Sequence, residues 1–411
     1  MRSIQDQLQA VLAAAQPVHP LDVVLADAAG CVLAEDLHAP VSVPARPVAA
    51  HDGYAVESGA IAQVTPGRPV VLPVAHDVAP SDDEPLRLAP AHAVRVSSGG
   101  PVPVGADVVV PVGYTDRGTA RVEIHRPVPA GEGIRAAGAD AREGEVVVPA
   151  GVRLGASQIG LASALGLRRL RVHPRPRVVV LPVGDELVDA GSPHESGKVH
   201  DANGPMLTTA ALAVGAGAHL AAVAPDERAR LREAIEDQLV RADLLIVTGG
   251  LGDGPHDTVR DVLGPLGEVR FDHVAMSPGR RLGFGTVDPD GAGPPVPVFA
   301  LPGDPVAATV AFEVFVRPAL RAIAGYTELF RTTVSATATQ GWTVPSGLRQ
   351  FVPATLTGSP ATGYRVAPLG DPLRPDLGSL ARANAFAVVG ERATLVEPGQ
   401  TVHALVLDSH G

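Results

Sequence analysis

Between residues 177 and 325 short apolar runs alternate with amphipathic segments: RVVVLPV, PMLTTAALAVGA, HLAAVA, DERARLREAIEDQL and DLLIVTGG. A chain written this way has few ways to fold. Strands that are apolar throughout must be covered on both faces, and the helices between them supply that cover, so the run predicts a parallel, doubly covered sheet in an α/β domain. In such sheets ligands bind in the crevice outside the carboxyl ends of the strands. Three loops leave those ends: GDELV after RVVVLPV, TGGLGDGPHDT after DLLIVTGG, and LPGDPVA after VPVFA. Together they form the candidate site.

The flanks read differently. Ile4, Leu8, Val11 and Leu12 recur at helical spacing up to Pro17, which predicts an amphipathic helix in need of a partner face. From about 40 to 139 short Val-rich runs broken by Pro and Gly, such as RPVVLPV, HAVRVSSGGPVP and ADVVVPVGY, predict an all-β module with hardly any room for helix. Residues 154–170 return to helical period, with Ile159, Leu161, Ala162 and Leu165. After Gly325, TTVSATATQ, RQFVPATL and HALVLD predict a small closing β domain.

Charge and cysteine narrow the function classes. With 33 basic against 44 acidic residues and a net charge of −11, a broad nucleic-acid surface is not expected, and any phosphate site is local. Cys31 is the single cysteine, so neither an intrachain disulfide nor a thiolate metal cluster is possible. No stretch reaches the roughly 20 apolar residues of a membrane span, and the N-terminus lacks an apolar signal region, so the expected location is the cytoplasm.

Asp185 and Glu186 are adjacent acids at a strand end, suited to a hard cation such as magnesium or to capping the next turn. Asp257, on a neighbouring loop, is placed to converge with them. Gly249 and Gly250 permit close ligand approach, and Asp253 adds an acceptor beside them. His256 reads as a ligand or as a solvated side chain. Arg280 and Arg281 follow a Pro-Gly turn and suit an oxyanion or solvent equally. Asp304 and Pro305 read as the N-cap and first residue of a long helix whose start could face an anion.

The motifs HDGYAV, RVSSGGPVPVGADVVV, GEGIRAAGAD, QIGLASALG, PRVVVLPVGDELV, TGGLGDGPHD, MSPGRRLGFG and LPGDPVAATVAFEVFVRPAL run in order along essentially the whole chain. They resemble the molybdopterin molybdenumtransferases, which include bacterial MoeA and the E domain of gephyrin. The resemblance implies an elongated homodimer. It implies five segments: an N-terminal helix (1–21) packing on the α/β domain, an arch-like linking domain (22–43 and 140–175), a β-rich module (44–139), a molybdopterin-binding-like three-layer α/β domain (176–327) and a C-terminal β barrel (328–411). It further implies insertion of molybdenum from molybdate into adenylylated molybdopterin, with magnesium-dependent adenylate hydrolysis, and possible partnership with a molybdopterin adenylyltransferase and apo-molybdoenzymes. On matching positions Asp52, Asp140 and Asp257 would be catalytic, Asp185, Glu186 and Asp257 would hold the metal, and Ser98, Gly249, Gly250, Arg280, Arg281 and Asp304 would bind substrate. The β module of one subunit would bring Asp52 and Ser98 to the α/β loops of the other.

This sequence departs from the family pattern within the site motifs. His51 replaces a methionine, Ser98 a threonine and Ala139 an acid; TGGLGDG replaces Ser-Gly-Gly-Val-Ser-Val-Gly, with Gly252 for a serine; Ser277 and Arg280 replace two lysines; Asp304 replaces an asparagine. The loss of Lys at 277 and the added charge at 304 open a second reading: a diverged paralogue that binds pterin or serves as a scaffold with weak or no transferase activity. A molybdopterin adenylyltransferase, sharing the α/β domain alone, would not explain the β modules on both sides.

Overall fold

The computed structural model of the chain describes residues 1–65, 67–83, 86–193, 195–252, 258–288 and 294–407. The chain forms two compact units: Met1–Ala34, Gly151–Leu154 and Leu170–Gly411 make one, and Glu35–Ala150 with Gly155–Arg169 the other. Helix α1 (Ile4–Ala14) opens the first unit, with the Ser3 side chain accepting from the Asp6 amide as N-cap. Its Ile4 and Val11 join the core formed by Leu207, Phe299, Phe315 and Leu320, which is the partner face its periodicity required.

The second unit is built on five strands, β1 (Gly53–Val56), β2 (Val70–Val78), β3 (Ala93–Val96), β4 (Val108–Pro111) and β5 (Arg121–Ile124), in the spatial order β4-β1-β3-β2-β5. Alternation decides its two faces. Tyr54, Val56, Val108 and Val110 pack with Val122 and Ile124 on one side, while Ala55, Val94, Val96 and Val109 pack on the other. The module does contain an α-helical turn, Ser58–Ile61, and a 3-10 turn, Val112–Tyr114, where the sequence pattern left hardly any room for helix. The cause of the first is distant in sequence: the Asp107 carboxylate accepts from both the amide and the hydroxyl of Ser58, at 2.6 and 2.7 Å. Helix α2 (Ala156–Ala164) follows in the same unit.

The α/β region of the first unit runs β6 (Arg177–Pro182), α3 (Asn203–Val214), β7 (Gly217–Leu220), α4 (Arg228–Leu239), β8 (Leu244–Thr248), α5 (Val259–Leu266), β9 (Arg270–His273), β10 (Arg281–Val287), β11 (Val296–Leu301) and α6 (Pro305–Ala311). A π-helical turn, Phe312–Val316, joins α6 to α7 (Arg317–Ile323). The sheet order is β7-β6-β8-β11-β10-β9. Residues of β6 and β8 alternate between layers. Val178, Val180, Leu244 and Ile246 meet α1, α3, α6 and α7, and Val179, Leu181, Leu245 and Val247 meet α4 and α5.

The expectation of a parallel sheet is corrected at one edge: β10 pairs antiparallel with both β9 and β11. Residues 274–280 and 288–295 are each shorter than the crossover of about a dozen residues that a parallel pairing needs. Strands β7, β6, β8 and β11 pair in parallel. The chain passes from β6 through α3 to β7 on one side, then returns through α4 to β8 on the other. The carboxyl ends of β6 and β8 therefore flank a topological switch point, where a crevice opens in sheets of this kind.

Strands β12 (Thr333–Ala338), β13 (Arg349–Ser359), β14 (Gly363–Pro368), β15 (Ala385–Val389) and β16 (Thr401–Val406) complete the first unit. They run in the order β13-β14-β12-β16-β15, and pairing of β13 with β15 closes a five-stranded barrel. Among the described residues no helix is long and apolar enough to cross a membrane.

Candidate functional site

The glycines after β8 are set by backbone approach. Val183 donates its amide to the Thr248 carbonyl, so the loops after β6 and β8 leave the sheet in contact. Gly249 has φ +99°, and a Cβ there would lie 2.3 Å from the Val183 carbonyl oxygen. Gly250 has φ +61°, and a Cβ there would lie 2.6 Å from Val259 Cγ2. Both positions exclude a side chain on two counts, conformation and space. The rest of the loop, 253–257, including His256 and the candidate acid Asp257, lies outside the described residues.

The acids after β6 divide into two roles. Asp185 and Asp226 form a reciprocal clasp: the Asp226 amide donates to Asp185 Oδ1 and the Asp185 amide to Asp226 Oδ2, each at 3.2 Å. Asp226, which the sequence reading passed over inside APDERAR, thus joins the loop from the segment between β7 and α4. The Glu186 carboxylate is exposed and accepts no hydrogen bond from a described residue. Lys198, the single lysine of the sequence, donates to the Asp185 carbonyl at 2.7 Å. Among the described residues no cluster of three His, Cys, Asp or Glu side chains is arranged as a metal centre. The neighbouring Asp185 and Glu186 carboxylates nonetheless have the hard oxygen donors that magnesium takes while keeping several waters. The donor set fits, with Asp257 the third candidate in sequence.

Asn203, the first residue of α3, was also missed. Its side-chain Nδ2 donates to Thr248 Oγ1 and to the Gly303 carbonyl, both at 2.8 Å. One amide therefore ties the end of β8 to the loop after β11. Asp201 prepares the turn, its Oδ1 accepting from the Gly204 amide at 3.0 Å. The signal was the tripeptide DAN ahead of a helical run, an ordinary helix start by composition.

The turn before β10 meets the start of α6. A cavity of about 330 Å³ has Ser277, Arg280 and Arg281 on one wall and Pro302 and Ala307 on the other. Arg280 is exposed; Arg281 donates to the Leu251 carbonyl at 3.4 Å and so reaches back to the glycine loop. Asp304 is the N-cap of α6, its Oδ1 accepting from the Ala307 amide at 2.8 Å. That carboxylate serves the helix, which is the capping alternative of the sequence reading.

In the second unit Asp52 and Ser98 come together: Asp52 Oδ1 accepts from the Ser98 amide at 2.7 Å, and Ser98 Oγ donates to the Ala50 carbonyl at 3.3 Å. Asp140 is engaged by Arg135, which donates to Oδ2 at 2.5 Å.

Residues 2–166 match the MoeA N-terminal region (domain I and II), 179–322 a probable molybdopterin-binding domain, and 335–407 the MoeA C-terminal region (domain IV). Molybdopterin molybdenumtransferase 1 of Mycobacterium tuberculosis is 37% identical over 430 residues, spanning 100% of both chains. The chain belongs to the MoeA family. Molybdopterin molybdenumtransferase 2 of the same organism is 38% identical, covering 97% of this chain and 98% of its own. The crystal structure of the MoeA protein from Pyrococcus horikoshii superposes with a TM-score of 0.80 at 27% identity, covering 99% of each chain. These full-length likenesses place the three loops in the domain matched as molybdopterin-binding.

Proposed function

We propose that this MoeA-family chain inserts molybdenum into adenylylated molybdopterin, with the crevice at the ends of β6 and β8 as the pterin-phosphate site. The observation that carries the reading is the pair Gly249–Gly250, whose bare backbone opens the crevice at a sheet switch point within the region matched as molybdopterin-binding. Hydrolysis of the adenylate adds water across a phosphoanhydride, releasing AMP and leaving a phosphate monoester on the pterin. Backbone N–H groups of the glycine loop and the Arg280 and Arg281 guanidiniums are suited to the phosphate and molybdate oxygens. Asp185, Glu186 and Asp257 would hold magnesium, which supplies neutralising charge to the phosphate oxygens. Asp52, Ser98 and Asp140 would enter from the second unit of a partner subunit, which makes a homodimer part of the proposal. The five-segment division and a cytoplasmic location belong to the same reading, as do an adenylyltransferase supplying the substrate and apo-molybdoenzymes receiving the product.

Anaerobic incubation of the purified protein with adenylylated molybdopterin, molybdate and magnesium should release AMP and yield a cofactor that activates an apo-molybdoenzyme. Binding of the pterin without AMP release or activation would reject the transferase in favour of the diverged pterin-binding reading, to which Ser277 and Asp304 already point. In light scattering at micromolar concentration the protein should be a dimer; a monomer would overturn the shared site.

A further inference from the structure

Asn203 is more than nine-tenths buried, and its two polar atoms are treated very differently. The Nδ2 group has two acceptors, Thr248 Oγ1 and the Gly303 carbonyl, while the carbonyl oxygen Oδ1 is buried and has no hydrogen-bond partner. A buried acceptor left unsatisfied costs about 1–3 kcal/mol, so native structures rarely leave one idle. The amide is not misassigned in a way that would remove the problem. Exchanging its ends would set an oxygen against the Gly303 carbonyl and leave the NH₂ donors without acceptors. The orphan stands at the amino end of α3, beside Thr248 and the Gly249 turn, at the switch point between β6 and β8. In sheets of this kind ligands seat at that switch point.

We propose that the Asn203 side-chain carbonyl accepts a hydrogen bond from an N–H of the substrate's pterin, and that its Nδ2 holds the loops after β8 and β11 in place for that contact. The inference rests on the transferase reading above and deepens it by assigning a specificity residue. A reduced pterin carries an exocyclic amine and ring N–H groups, the donors a lone amide oxygen requires. Sites that pair a buried polar group with a ligand donor reject ligands lacking that donor far more sharply than apolar pockets do.

The test is anaerobic fluorescence titration with metal-free molybdopterin as the probe, on wild type and three variants, each checked for a native melting transition. Asn203→Ala is expected to weaken binding by about tenfold, the scale of one hydrogen bond with its partner left unpaired. Asn203→Ser keeps a small hydroxyl that can donate to a clamp acceptor but ends one bond short of Oδ1, so it is expected to bind as weakly as Asn203→Ala. It also keeps the question decidable if the alanine variant does not fold. Thr248→Val removes one arm of the clamp but leaves Oδ1 and the Gly303 contact, so its loss should be much smaller than that of Asn203→Ala. If Thr248→Val and Asn203→Ala fall together, or if Asn203→Ser binds like the wild type, the amide only shapes the loops and the proposal is overturned. Wild-type affinity in Asn203→Ala overturns it alone, whereas absence of molybdopterin binding by the wild type overturns the transferase reading and this inference with it.

Discussion

Glu186→Gln is expected to lower magnesium-dependent AMP release by about a hundredfold or more while leaving the melting curve unchanged. Replacing even an outer-shell partner of a bound metal typically costs 10–100-fold, and loss of a direct carboxylate ligand should cost at least as much. Glu186 is the cleaner probe of the two adjacent acids. Asp185 shares a reciprocal clasp with Asp226, so its substitution would disturb the loop as well as the cation. The Glu186 carboxylate is exposed and accepts no hydrogen bond from a described residue, so nothing structural depends on its charge. A measured hydrolysis rate equal to wild type over a magnesium titration would mean that the acid pair caps the turn after β6 and holds no metal.

The second large effect is on stability and lies away from the site. Glu313 is buried within the π-helical turn between α6 and α7. Arg331 grips it in bidentate fashion, Nε to Oε2 at 2.6 Å and Nη2 to Oε1 at 2.9 Å, and also bonds the Leu407 carbonyl. Arg317 approaches the same carboxylate at 3.8 Å, and burial first, then the charge of Arg331, holds its guanidinium below the usual arginine range. Glu313→Ala would leave two guanidiniums sharing a buried space without their anion. Breaking one side of a buried pair costs about 3–5 kcal/mol, which in a domain of this size lowers the melting midpoint by roughly 10 °C. A shift of less than about 2 °C in a thermal melt would show that water or a rearranged carboxylate replaces Glu313 at little cost.

The alternation of RVVVLPV, DLLIVTGG and the helices between them determined the α/β domain, because strands apolar on both faces have no other way to be covered. The same spacing placed the loops at 183–186, 249–252 and 302–304 on one end of the sheet, and eight ordered motifs identified the family. Asp304 was legible too, since Asp-Pro ahead of an apolar helical run is a local capping signal that the structure bears out. What depended on residues far apart in the chain was not legible. The antiparallel edge of β10 follows from two connections too short to cross over, a limit on topology and not on composition. The helical turn at Ser58 depends on Asp107, and the Asp185–Asp226 clasp joins the segments that follow two neighbouring strands. Asn203 is the sharpest case. In the sequence it is a polar residue at the start of a helix, like many others. Only the tertiary structure brings Thr248 and Gly303 to its Nδ2 and buries its oxygen without a partner, because the need for a hydrogen-bond partner arises only once water has been removed.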